Sequence, residues 1–382
     1  LCTDGSLCTV DDRCADGVCI PGPADECFDG NDVAWDGCTD CKITEFDVAS
    51  QTTDHDSRPD VASLAGGGFV VVWNRRDDSD DAHEVFVRLY SGDGEPKSAE
   101  EPIDEFTQGR QEVPRAAALL EGGFVIAWAS ADARLAEHTS GTGSEREVVA
   151  RFFDATGEPK GGEVVVNSIV DFKQDRPALA ALASGEAAVA WQSEQLRQGR
   201  EKRNRVMVRL MDAEGNPVSA ETQAHPDGEG QRRFPAVQAL SGGGFAVGWE
   251  WAQNDISEHA IEARVFDDGG VPLSPVIRVA ETGYWAVSAP GIAALSEQRF
   301  ILAWTDNRLV EGEVDRWVVA ARAFTGQGVA ESPVVELAEN SYSLSNGDAI
   351  LSCGERLFVS WIQNRSEPGH GKAVFGRMLS TT

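Results

Sequence analysis

The sequence predicts an all-β fold: a six-bladed β-propeller that follows a small disulfide-rich module. Three observations lead to this prediction. A strand-rich segment recurs six times, a surplus strand-like segment precedes the first repeat while the last repeat lacks one, and seven cysteines lie within the first 41 of 382 residues. We place the disulfide-rich module at residues 1–42 and the propeller at residues 43–382.

The repeat is recognised by a tryptophan that ends an apolar strand. Segments such as RPDVASLAGGGFVVVW and FPAVQALSGGGFAVGW end on it, and in five repeats a proline stands 14 residues earlier. Apolar residues on both alternating faces are typical of a strand that is covered on both sides. A second block, VFVRLY in the first repeat, then supplies an arginine. The repeated residues are Trp73, Trp128, Trp191, Trp249, Trp304 and Trp361, with Arg88, Arg151, Arg209, Arg264, Arg322 and Arg377.

Each repeat is interpreted as four short strands, the last of which follows a D-A-x-G-x-P turn. Four-stranded units repeated radially are typical of a propeller, whereas solenoid repeats are shorter. The sixth repeat stops after its third strand, and ITEFDVAS (43–50) precedes the first repeat. We therefore expect residues 43–50 to become the outer strand of the blade that contains Trp361, which would close the ring and remove an open edge.

The cysteine pattern predicts disulfides and an oxidising compartment. The first 42 residues hold too few large apolar side chains for an independent core, and small modules of this kind rely on disulfides. Structural zinc is the alternative, but only Cys38 and Cys41 have CxxC spacing. The seven clustered cysteines leave one without a partner, which favours a Cys41–Cys353 bond and, next, a Cys38–Cys353 bond. The alternative is that an upstream cysteine completes the module and that Cys353 stays a thiol. The cysteines are Cys2, Cys8, Cys14, Cys19, Cys27, Cys38, Cys41 and Cys353.

Two stretches resemble known bacterial repeats. CTDGSLCTVDDRCADGVC and ECFDGNDVAWDGCTDC resemble short Cys-rich repeats of secreted and surface proteins, although Phe28 stands where an Asp is usual. The G-G-F-V-V-x-W and R-F-D-A-x-G-x-P patterns resemble repeats of large secreted, adhesin-like proteins. These resemblances imply a secreted or cell-surface location and a scaffold to which no single activity is attached.

Charge and hydropathy exclude some partners and suggest others. A net charge of −30 disfavours binding to nucleic acid. The sequence contains no run of 18 apolar residues, so no transmembrane helix is expected. Two acidic segments could bind Ca²⁺ through carboxylate oxygens, although Asx turns and a solvated loop are the alternatives. Their candidate ligands are Asp29, Asn31 and Asp36, and Asp77, Asp78, Asp80 and Asp81.

One basic segment, QSEQLRQGREKRNRV, is predicted to be a loop and contrasts with the acidic chain. It could bind an anionic glycan or the acidic surface of another protein, and a second copy bound in this way would give rings or filaments. The alternative is a solvated loop. The basic residues are Arg197, Arg200, Lys202, Arg203 and Arg205.

No catalytic motif occurs: GxSxG, HExxH, the P-loop and the S-x-D-x-G-x-x-W box are all absent. The main expectation is therefore a non-enzymatic extracellular or cell-surface interaction protein without a cofactor, which binds a protein or a surface glycan through its variable loops. A carbohydrate-binding lectin is the first alternative. A propeller glycosidase or lyase is the second, because two carboxylates suffice for glycoside hydrolysis. The repeated tryptophans are expected to pack between blades, and the repeated arginines to pair with carboxylates.

Overall fold

The computed structural model describes most of residues 56–380 and five short segments before them, 13–15, 18–20, 38–39, 42–43 and 48–49. Within 56–380 the undescribed positions are residues 77–82, 106–108, 133–145, 170–171, 198–200, 254–257, 283–289, 297, 309–315, 341–343, 354–355 and 365–371. The chain divides into two compact units, residues 1–52 and 53–382. No helix occurs among the described residues, and the predicted all-β class is confirmed.

The first unit contains two antiparallel hairpins, β1 (Arg13–Ala15) with β2 (Val18–Ile20) and β3 (Cys38–Thr39) with β4 (Lys42–Ile43). Cys14 lies opposite Cys19 in the first hairpin. The predicted disulfides fall on side chains outside the described residues, as does most of the predicted closing strand 43–50, and both stay predictions.

The second unit is a series of six antiparallel sheets, in each of which the strands follow chain order. Sheet 1 holds β5 (Asp56–Ser63), β6 (Phe69–Arg76), β7 (His83–Tyr90) and β8 (Glu101–Pro102). Sheet 2 holds β9 (Gln111–Ala118), β10 (Phe124–Ser130), β11 (Glu147–Phe153) and β12 (Val164–Val165). Sheet 3 holds β13 (Gln174–Ala181), β14 (Ala187–Arg197), β15 (Glu201–Met211) and β16 (Thr222–Gln223).

The remaining sheets continue the pattern. Sheet 4 holds β17 (Gln231–Ala239), β18 (Phe245–Ala252), β19 (His259–Phe266) and β20 (Ile277–Thr282). Sheet 5 holds β21 (Gly291–Ala294), β22 (Arg299–Arg308), β23 (Arg316–Thr325) and β24 (Val335–Asn340). Sheet 6 has three described strands, β25 (Leu344–Cys353), β26 (Arg356–Asn364) and β27 (Lys372–Ser380).

The hydrophobic core lies between successive sheets. Five apolar clusters each join residues of one sheet to residues of the next, and the first strand of every sheet contacts the first strand of its successor. The repeated tryptophans are all buried within these clusters or beside them, so their rings are not available to stack on a sugar. The structure places them as the packing interpretation expected.

The repeated arginines join neighbouring sheets through backbone carbonyls, so the expected pairing with carboxylates is largely wrong. Arg209 Nη1 donates to Val166 O at 2.8 Å, and Arg264 Nη1 donates to Ala224 O at 3.1 Å, in each case across to the preceding sheet. Arg151 additionally forms an ion pair with Glu105 at 2.9 Å. Carbonyls recur in every repeat whatever its sequence, which makes them partners that a side-chain pattern does not reveal.

Replacing one of these arginines should weaken the interface between two sheets. Arg209→Ala removes the hydrogen bonds to Val166 O and Ser219 O, and we expect the free energy of unfolding to fall by roughly 1.5–3 kcal/mol. Urea denaturation measures it. Arg299→Ala is the matched control, because the Arg299 side chain contacts Ser296 and Glu331 of its own repeat rather than a neighbouring sheet; equal losses in the two variants would contradict the role of Arg209.

Candidate functional site

The first strands of sheets 1–4 share a β-bulge near their start. The residue before the repeated proline has a positive φ of 54–57° in each of them, at Arg58, Val113, Arg176 and Phe234. A non-glycine residue seldom adopts this conformation, which costs about 1–3 kcal/mol and persists where the surrounding structure imposes it. Such strain concentrates at functional sites, so the side chains around the bulges are candidates for a functional site.

Glu112 is a buried carboxylate one residue before the bulge of sheet 2, and it is surrounded by cations. Its Oε2 lies 2.6 Å from Arg146 Nη1 and 3.5 Å from Arg58 Nη1, and its Oε1 lies 3.3 Å from His83 Nδ1. These partners come from sheets 1 and 2. Only 7% of Glu112 is exposed, so the ion pairs act in a medium of low dielectric constant, where they are stronger than in water.

Asp175 holds the corresponding position in sheet 3 and shares a partner with Glu112. Its Oδ1 lies 3.7 Å from Arg146 Nη1, and its Oδ2 lies 2.5 Å from Lys173 Nζ. The carbonyl of Arg146 accepts a hydrogen bond from Gln174 N at 2.7 Å, which fixes Arg146 beside the start of sheet 3. One arginine thereby brings together two buried carboxylates from neighbouring sheets.

A second ion-paired group lies in sheet 4. Glu250 is 1% exposed; Arg233 donates to both of its oxygens at 3.3 Å, and His259 Nδ1 lies 2.7 Å from Oε1. Arg233 also lies over the ring of Phe234, the bulged residue of sheet 4. Glu250 therefore orients the Arg233 guanidinium next to the bulge.

The indole nitrogens of three buried tryptophans are anchored by polar residues of the same region. Trp128 and Trp191 donate to the side-chain oxygens of Gln111 and Gln174, at 3.2 and 3.0 Å, and Trp249 donates to Glu262 at 3.0 Å. Gln111 and Gln174 each precede the site carboxylate of their own strand. These buried tryptophans thus hold polar residues of the site in position through hydrogen bonds, and their rings are not available to a ligand.

The binding candidates named from the sequence are placed elsewhere or lie outside the described residues. The basic segment is largely a hairpin rather than a loop, since β14 and β15 stay paired out to Arg197 and Glu201. Lys202 and Arg203 lie in β15, Arg205 pairs with Asp227, and Arg200 is outside the described residues. The two strands stay paired although this part of the sequence is almost entirely polar, and the loop interpretation was wrong.

The calcium candidates also fall outside the described part of the chain, namely Asp29, Asn31, Asp36, Asp77, Asp78, Asp80 and Asp81. Within the described residues, no group of three His, Cys, Asp or Glu side chains could hold a metal ion. A search of the same residues for a helix long and apolar enough to cross a membrane finds none.

The sequence contained a signal for the site that was not used. The two positions before the repeated proline are Ser-Arg in the first repeat, Glu-Val in the second, Asp-Arg in the third and Arg-Phe in the fourth. Polar residues that differ in type at one position of a constant scaffold indicate function rather than packing. The common pattern of the repeats does not include the first of these two positions, because its residue differs in each of these four repeats.

A buried acid near the site makes a pH-dependent contribution to stability. Asp104 accepts a hydrogen bond from Val85 N at 2.9 Å, and burial, reinforced by Glu84, raises its pKa to about 6. In sheet 2, Asn167 accepts the equivalent bond from Val148 N at 2.8 Å and donates to Glu147. The second sheet thus uses a neutral amide where the first uses an acid.

Asp104→Asn should therefore stabilise the protein at neutral pH. The folded-state pKa of Asp104 exceeds the ordinary aspartate value of 3.8, so the wild-type protein loses stability as pH rises through about 4–6, and the amide avoids this loss. We expect a gain of roughly 1–3 kcal/mol at pH 7 and none below pH 4. Chemical denaturation at several pH values measures it. The reciprocal Asn167→Asp should lose stability over the same interval; a gain at pH 3 equal to that at pH 7 would contradict the explanation.

Comparison with known proteins finds solved structures of similar fold. No protein-family model and no curated protein matches the chain. A Dyadobacter fermentans protein of unknown function is 16% identical with a TM-score of 0.55, and the match covers 85% of this chain and 94% of that chain. A Hadza microbial sialidase is 11% identical with a TM-score of 0.50, over 80% of this chain and 63% of that chain. A Penicillium chrysogenum α-L-arabinanase complexed with arabinobiose is 14% identical with a TM-score of 0.49, over 86% and 95%.

The similarity to the sialidase overturns an expectation drawn from the sequence. The chain was expected to be a non-enzymatic interaction protein, yet the sialidase, whose fold it resembles, is an enzyme. Identities this low show the fold alone, so the activity of this chain is argued below from its own residues. The absence of catalytic motifs did not exclude an enzyme, because glycosidase carboxylates come together only in the fold and form no short motif.

Proposed function

We propose that the chain is a glycoside hydrolase whose active site lies at the bulged first strands of sheets 1–4. The observation that supports it is the pair of buried carboxylates, Glu112 and Asp175, which approach the same Arg146 nitrogen from neighbouring sheets. Most glycoside hydrolases use two carboxyl groups that flank the bond to be cleaved. Fold and site agree, since the pair lies on a scaffold that resembles that of a sialidase.

The neighbours of the two carboxylates suggest different roles. Asp175 is held in one orientation by Lys173 and Arg146, and a retaining glycosidase needs a carboxylate fixed in this way as its nucleophile. Glu112 also contacts His83 Nδ1 at 3.3 Å, and His83 can exchange a proton with it. We assign the acid and base steps to the Glu112–His83 pair, which gives a proton to the leaving oxygen and takes one from the attacking water.

The separation of the carboxylates predicts the stereochemistry of the product. Glu112 Oε2 and Asp175 Oδ1 lie 2.6 and 3.7 Å from Arg146 Nη1. The distance between these two oxygens therefore cannot exceed the sum of the two distances. Inverting enzymes need roughly 6.5–9.5 Å, whereas retaining enzymes need about 5–5.5 Å. We expect hydrolysis with retention of the anomeric configuration, and NMR of the first product formed in solution measures it. An inverted first product would contradict the assignment of Asp175 as nucleophile.

The proposed function is tested by hydrolysis of a panel of neutral and acidic oligosaccharides. Wild-type protein, Glu112→Gln and Asp175→Asn are compared, with Glu331→Gln as a control at an exposed residue of the connection between β23 and β24. We expect at least one glycan to be cleaved by the wild type and the control and by neither site variant. Binding without cleavage by the wild type would instead indicate a lectin and reject the proposal.

We further propose that the six sheets are the blades of a closed propeller, with residues 43–50 as the fourth strand of sheet 6, in a secreted protein. The sequential contacts between first strands support a radial arrangement. Cys353 ends β25, and the predicted Cys41–Cys353 bond would join the closing strand to this sheet. Peptide mapping without reduction should find that linked pair; an unmodified Cys353 peptide would reject the bond.

A further inference from the structure

Arg176 is the bulged residue of sheet 3, and its charge is not matched by a contact. Its guanidinium lies 4.5 Å from the centre of the Phe234 ring, and among the described residues it forms no ion pair and donates no side-chain hydrogen bond. The residue is part-buried, and φ = 54° holds it in a conformation that non-glycine residues seldom adopt. A part-buried cation loses hydration that a carboxylate partner would normally replace.

The charged neighbours of Arg176 make its unpaired charge still less favourable. Burial lowers the pKa of Arg176, Asp175 raises it, and the guanidinium groups of Arg58, Arg146 and Arg233 lower it further. Asp175 is already engaged by Lys173 and Arg146, so it does not neutralise Arg176 alone. The site as a whole carries more cations than carboxylates, although the chain is strongly acidic. The cations are Arg58, Arg146, Lys173, Arg176 and Arg233, and the carboxylates are Glu112, Asp175 and Glu250.

We propose that Arg176 binds the carboxylate of an acidic sugar, and hence that the substrate of this site is a glycan that contains carboxylated residues. This inference rests on the proposed glycoside hydrolase function and names its substrate class. A guanidinium accepts a carboxylate through two parallel hydrogen bonds, which gives both affinity and orientation. The Phe234 ring fixes the plane of the guanidinium, so little side-chain freedom is lost when the sugar binds.

Position supports a substrate-binding role for Arg176. Arg176 follows Asp175 directly in β13, and both belong to the bulge that sets the direction of their side chains. A sugar whose carboxylate is held by Arg176 would therefore present its ring beside Asp175 and Glu112. A neutral sugar would leave the cation unpaired in the same place, which selects against it.

Matched sugars test the inference without relying on catalysis. The probes are methyl thioglycosides of glucuronic and galacturonic acid, together with those of glucose and galactose; each acid differs from its neutral counterpart only in carrying a carboxylate instead of a hydroxymethyl group on C5. Titration calorimetry on the full chain compares wild type, Arg176→Gln and the control Arg299→Gln. We expect wild type and control to bind the acidic sugars at least about tenfold more tightly than the neutral ones, and Arg176→Gln to lose this preference.

Three results would overturn the inference: equal affinity of the wild type for acidic and neutral sugars, a preference that survives in Arg176→Gln, or acetate that binds as tightly as the uronides. The first needs no variant and holds whether or not Arg176→Gln folds. Failure here is distinct from failure of the proposed function. Cleavage of neutral glycans without an acidic preference would reject only this inference, whereas an Arg176-dependent preference without any cleavage would support it and reject the hydrolase.

Discussion

Glu112→Gln and Asp175→Asn should each lower kcat for glycan hydrolysis by roughly a hundredfold to ten-thousandfold, the range for loss of a group that transfers a proton or attacks carbon. Each amide keeps the shape of its carboxyl group and can still contact Arg146, so substrate binding should change less than turnover. An amide cannot deliver a proton to the leaving oxygen or form the glycosyl intermediate. Steady-state kinetics on a cleaved member of the panel measures both parameters.

The control for these variants is Glu331→Gln, which removes the charge of a carboxylate in an exposed ion pair with Arg299. It should keep wild-type kcat and KM. Circular dichroism and thermal melting must show that the site variants are folded. A folded Glu112→Gln protein with wild-type kcat would remove Glu112 from the mechanism.

Glu250→Ala should lower the free energy of unfolding by about 3–5 kcal/mol, the usual effect of removing one partner from a buried ion pair. The substitution leaves Arg233 and His259 without the carboxylate that both contact. Glu250→Gln keeps one acceptor oxygen and should lose less. Urea denaturation followed by tryptophan fluorescence measures the change.

Glu258→Ala provides the matched control, because Glu258 is an exposed residue just before β19. We expect it to change stability by less than about 0.5 kcal/mol. If Glu250→Ala were as stable as the control, the Arg233–Glu250–His259 group would not be the structural support that its burial indicates.

The parts of the fold that could be predicted are those that repeat. Trp191 and Arg209 recur in every repeat because each sheet must pack on its neighbours in the same way, and periodic residues report packing. The partner of Arg209 could not be predicted, since the bond goes to the backbone carbonyl of Val166. The basic segment was taken for a loop because its charges concealed the continued pairing of Arg197 with Glu201.

The common pattern of the repeats does not reveal the site, because the members of the site do not repeat. Glu112 and Asp175 stand at one position of the repeat where the first strand of sheet 1 has Ser57. They are brought together by Arg146, which directly precedes β11, and by a bulge that the sequence marks only by the following proline. Differences between repeats, rather than their common pattern, contained the functional information.

A crystal structure of the Glu112→Gln protein with a bound oligosaccharide from the panel tests the central claim most directly. The account predicts a sugar at the bulged strands of sheets 1–4, with its glycosidic oxygen near residue 112, its anomeric carbon near Asp175, and a carboxylate on Arg176. An ordered oligosaccharide bound on another surface, with these three residues uncontacted, would contradict it.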